Sequence, residues 1–147
     1  MRVKLAWMLG LLAAVNGVFM LAVPAAWYAI IPGVPNSGPL NAHFIRDIGA
    51  AFLVAGGSLV WFARDARARL AALACTAFFA LHALVHLSDA MTGRESIYQA
   101  MRDLPTVYLG AVAALWIAWP VSTPATEEGK DAQMVVTAAD RRLRKRV

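Results

Sequence analysis

Residues 70–88, LAALACTAFFALHALVHLS, decide how the rest of the chain is read. They hold no lysine, arginine, aspartate or glutamate, and a helix needs about 20 apolar residues to cross a bilayer. This stretch predicts a membrane span over about 70–91. Three other runs are equally free of formal charge: 5–45, 48–63 and 104–126. Of the 147 residues, 60% are apolar and 16% charged, where soluble domains carry roughly 45 to 50% and 25%. The expectation is an all-α, four-helix transmembrane bundle with spans at about 5–31, 42–63, 70–91 and 104–121, short loops and a tail over 122–147. Four spans use over half the chain, which excludes a separate soluble catalytic domain.

The first run follows Arg2 and Lys4 and resembles a secretory signal, with Val23, Pro24 and Ala25 as a poor cleavage site. It continues through Trp27, Tyr28, Ile30 and Ile31, and Trp and Tyr are interface residues. An uncleaved helix, kinked at Pro24, is the expectation. Residues 32–41, PGVPNSGPLN, read as a tight loop ending in Asn41, an N-cap for the second span. In 92–105, Ile97, Met101 and Leu104 fall at helical spacing, and Thr92 with Glu95 matches a capping box. A short interfacial helix is expected there, and the segment from Thr92 to Pro105 is a candidate lid over the polar residues at the neighbouring span ends.

Lysine and arginine counts orient the spans. Arg2, Lys4, Arg64, Arg67, Arg69, Lys130, Arg141, Arg142, Arg144, Lys145 and Arg146 fall on one side, and only Arg46, Arg94 and Arg102 on the other. The positive-inside rule puts both termini in the cytoplasm of a bacterial inner membrane. The net charge of +5 is thus explained by topology and not by nucleic acid. The tail ending RRLRKR reads as disordered, with its basic end at anionic lipid. The lone Cys75 lies within a span, without a base one turn away to activate it.

Small residues recur every fourth place: Ala51 and Ala55, then Ala72, Thr76 and Ala80, then Gly110, Ala114 and Ala118. They are candidate close-packing seams, in a homo-oligomer or larger membrane complex as well as within one chain. Asn16, the one amide in the first span, reads as an interhelical hydrogen-bond partner.

The chemistry gathers at one end. The second span enters from outside and the third returns there, so His43, Arg46, Asp47, His82, His86 and Asp89 share the external third. Positions i and i+4 lie about 40° and 6 Å apart on a helix, so His82, His86 and Asp89 form one stripe and His43 with Asp47 another. Facing stripes would make a nitrogen and oxygen site for a transition metal such as zinc, copper or iron. Arg46 would hold a carboxylate or an anionic ligand. Haem b would need His43 opposite His82 or His86, and no C-x-x-C-H attachment motif exists. A proton pathway lacks polar stations in the cytoplasmic halves of the spans. The competing reading is structural: the same groups pair with one another and fasten two helices of an accessory or scaffold subunit. No nucleophile with an adjacent base and no phosphate loop is present, which makes an enzyme the weakest reading and leaves only metal-dependent chemistry open.

HFIRDIGAAFL, followed some forty residues later by LHALVHLSD, resembles small four-helix bacterial inner-membrane proteins, broadly the DoxX-like group. The likeness spans about 42–91. It implies a bacterial four-helix membrane protein and carries over no catalytic residue.

Overall fold

The computed structural model describes residues 1–119, which are helical and contain no strand. The tail over 122–147 and its expected contact with anionic lipid lie outside the described residues. The elements are α1 (Arg2–Ala22), α2 (Pro24–Ile30), α3 (Ala42–Arg64), α4 (Arg69–Met91), α5 (Ile97–Asp103) and α6 (Leu109–Ala118). A π-helical turn over Leu104–Tyr108 joins α5 to α6. Three helices, Arg2–Ala22, Ala42–Arg64 and Ala66–Met91, are long and apolar enough to cross a membrane. Their outer faces expose Leu11, Val15, Val54, Leu70, Leu81 and Leu84, a surface suited to lipid.

The first run is not one helix. At Val23 the backbone leaves helical geometry, and Pro24 starts α2 at a first-turn position. Proline lacks the N–H that the interior of a continuous helix would need but is at home in a first turn. The expected kink is therefore a break. Across it, the Trp27 indole donates to Asn16 Oδ1 at 2.9 Å. Asn16 thus ties α1 to α2, and Trp27 turns inward to this bond.

The closest helix pair is α1 with α3, and its seam is made of glycine. A Cβ added at Gly17 would lie 2.6 Å from Gly49 O, and one at Gly56 would lie 2.5 Å from both Gly10 O and Ala14 N. Gly10, Gly17, Gly49 and Gly56 let the two backbones touch. Of the expected small-residue seams, Ala55 is buried and Ala51 half-buried on α3. On α4 and α6, Ala72, Thr76, Gly110, Ala114 and Ala118 are buried, whereas Ala80 is exposed. The Thr76 hydroxyl lies 2.9 Å from Ala72 O and 3.0 Å from Ala114 O, and its proton is shared between α4 and α6. The core around Leu59, Cys75, Phe79 and Ile117 is otherwise largely alanine.

Helix ends explain much of the charge. Asn41 Oδ1 accepts from Phe44 N at 3.0 Å, as its N-cap position requires. Arg46 Nε donates to Leu21 O in the last turn of α1. Arg69 Nε and Arg2 Nη1 donate to Ala118 O and Trp119 O at the end of α6. Terminal carbonyls have no helical partner, so a guanidinium there satisfies the acceptor and the helix dipole together. Asn41→Ala should cost about 1 kcal/mol of stability. Thermal unfolding in detergent checks this, and Asn41→Ser should recover most of the loss.

Candidate metal centre

The polar site forms where the end of α4, the connection after it and α5 converge. His86 Nδ1 lies 2.8 Å from Asp103 Oδ2 on α5 and 3.9 Å from Glu95 Oε2 in the connection. One ligand atom from each of His86, Glu95 and Asp103 can be chosen so that all lie within 4.8 Å of one another. The three side chains are only 29%, 13% and 21% exposed. Glu95 Oε2 is buried without a hydrogen-bond partner among the described residues. Burial, reinforced by the neighbouring Asp103 carboxylate, pushes the Glu95 carboxyl above its ordinary range, while His86 and Asp89 pull in opposite directions. Two carboxylates and an imidazole held this closely favour a shared proton or a bound cation.

His82 sits one turn earlier, stacked on Phe78 and edge-on to Phe52, with its ring centroid 4.9 Å from that of His86. Asp89 faces the same cavity and lies 3.5 Å from Arg94. That cavity measures about 610 Å³ and is walled by α1–α5, the π-helical turn and the 32–41 loop. Tyr28 folds the loop inward by donating to Gly38 O at 2.7 Å. Gly33, at φ +93°, brings the loop within reach of Arg102: a Cβ there would stand 3.2 Å from Nη2.

The six residues expected to gather therefore separate into two groups. His82, His86 and Asp89 face the cavity. His43 and Asp47 pair with each other at 3.5 Å in the open, 88% and 63% exposed, and neither lines the cavity. Arg46 is engaged with α1. The reason is helical phase: Ile45 and Gly49 are buried, and His43 and Asp47 lie about 200° around the helix from Ile45 on either side. The seam against α1 turns them outward. A haem bridging His43 to His82 or His86 finds no support in this placement.

Glu95 and Asp103 were not anticipated as site residues. The expected capping box of Thr92 with Glu95 is instead Ser96 with Gln99, which starts α5 at Ile97. Glu95 is thereby left for the cavity. The signal was present, since Glu95, Gln99, Arg102 and Asp103 fall at i, i+4, i+7 and i+8, opposite Ile97, Met101 and Leu104. The segment expected to cover the site supplies part of its wall.

No family model, curated protein or solved structure matches the chain.

Proposed function

We propose that the protein is a four-helix bundle of the bacterial inner membrane that binds a divalent transition metal at its periplasmic end. Both termini then face the cytoplasm, and the helical run from Ile97 to Ala118 supplies the fourth crossing. The convergence of His86, Glu95 and Asp103 carries this reading. One imidazole and two carboxylates are a donor set for zinc or iron, and His82 would provide a second nitrogen, which also admits copper. The metal would neutralise two crowded carboxylates and satisfy the buried Glu95 oxygen. Its role would be metal handling or redox chemistry at the membrane surface.

The test is elemental mass spectrometry on protein purified in mild detergent, without chelator or metal-affinity tag. Near-stoichiometric zinc, copper or iron is expected. Less than about a tenth of a metal per chain after attempted reloading would overturn the reading. A second reading has its own observation: the 2.8 Å bond from His86 to Asp103 ties α4 to α5 without any metal. The protein would then be an accessory or scaffold subunit, alone as a homo-oligomer or within a larger membrane complex.

A further inference from the structure

Beside the polar cavity lies a second, apolar one of about 590 Å³. The two share wall residues, Asn16, Trp27, Phe52 and His82 among them. The second runs between α1 and α6, along Leu5, Leu9 and Leu12 on one side and Gly110 and Ala113 on the other. A Cβ added at Gly110 would meet nothing within 4 Å. This buried glycine therefore widens a groove, unlike the glycines of the α1–α3 seam, which close a contact.

We infer that cavity and groove together hold one phospholipid, with its phosphate against Arg102 and one acyl chain between α1 and α6. The groove is long enough for an acyl chain. From Asn16 to Leu5 is eleven residues, or about 16 Å of helix, comparable with the roughly 15 Å that the chains of one leaflet occupy. It leaves the polar cavity at Asn16 and runs toward the end of α1 at Leu5, so a chain held there would pass the bilayer midplane.

Charge selects the head. Arg102 lines the cavity, forms no ion pair among the described residues, and has a buried Nε without a partner. Its guanidinium stacks over Tyr98, 5.1 Å from the ring centroid, which holds it in place. Asp89 faces Arg94. This inference rests on the metal reading in one step: a divalent ion cancels the charges of Glu95 and Asp103, leaving Arg102 to set a positive potential. A guanidinium is a bidentate phosphate receptor. The metal would thus satisfy the orphaned Glu95 oxygen, and the lipid phosphate the orphaned Arg102 nitrogen.

The test reconstitutes the full chain in nanodiscs of equal phosphatidylethanolamine and phosphatidylglycerol. Native mass spectrometry then counts retained lipid, with metal measured on the same samples. Wild type should keep about one phospholipid per chain. Gly110→Leu, which plugs the groove, and Arg102→Gln should each lower that occupancy about tenfold, corresponding to about 1.4 kcal/mol, without changing metal content. Ala113→Leu is a second plug should Gly110→Leu fail to fold. Equal retention in wild type and variants, or no retention in wild type, overturns the inference. Variant-sensitive lipid on wild type that carries no metal would support the lipid site while overturning the metal reading and, with it, the step in which an ion cancels the charges of Glu95 and Asp103.

Discussion

Gly56→Leu is expected to abolish native packing: the variant should aggregate or elute as a mixture in detergent, with no cooperative melting transition. The glycine lies in the seam between α1 and α3, where a Cβ would stand 2.5 Å from Gly10 O and Ala14 N and 3.0 Å from Ala14 Cα. These are backbone atoms of a rigid helix, so no side chain can rotate away. Relief would require the helices to separate along their whole contact. Gly17 and Gly49 make the same close approach one heptad away, and all would be lost together. Even modest overpacking costs about 1–3 kcal/mol, and a leucine against backbone exceeds this, against a total stability of roughly 5–15 kcal/mol. Gly56→Ala should fold with a markedly lower melting temperature. Gly57→Leu is the control, because its Cβ would meet nothing within 4 Å. Equal damage from Gly56→Leu and Gly57→Leu would show that the loss comes from hydrophobic surface or helix propensity and not from the seam.

That seam also marks where the sequence was hard to read. All four expected spans follow from uncharged runs, and three hold helices long enough to cross: those at Ala42–Arg64 and Arg69–Met91 end within a residue of the expected places, whereas the first breaks at Val23. Hydropathy is a sum over many residues, so it tolerates local error. Packing depends on single positions. The small residues sought at every fourth place marked the α4–α6 contact well but led to Ala51 and Ala55 on α3. The decisive pairs, Gly10 with Gly17 and Gly49 with Gly56, are spaced by seven, which returns to within about 20° of the same face. The seven-residue glycine spacing in both helices carries the seam, fixes the phase of α3 and turns His43 and Asp47 away from the cavity. The site was half legible for a related reason: charge segregation located its end of the molecule, and the stripe on α4 located His82 and His86. In the sequence Glu95 fits a cap, because choosing between Thr92 and Ser96 as the first cap requires knowing where the chain turns. Gly93, at φ +72°, is that turn.

His86→Ala is expected to lower metal affinity by more than a hundredfold, because substitutions of groups that merely support a ligand already cost 10–100-fold. A supporting role for His86 would give the smaller loss, and an unchanged metal content would exclude it from the site. The pH dependence separates a bound metal from a shared proton more sharply. In the metal-free protein, the Glu95 carboxyl is raised above its ordinary value near 4.5 by burial and by Asp103. As pH rises past 4.5, the unfolded chain gives up this proton while the folded chain keeps it, so stability falls until the folded carboxyl ionises. Over that window the metal-free protein should melt at lower temperature as pH increases. Glu95→Gln removes the titrating group and should flatten this part of the profile. With metal bound, the sign reverses: the ion requires ionised carboxylates and a neutral imidazole, so each proton competes with it and stability rises with pH. Melting curves of stripped and zinc-loaded protein across the same pH series should therefore diverge as pH increases. Parallel curves would mean that the ion is not held by Glu95, and that the group on α4 and α5 fastens helices without a metal.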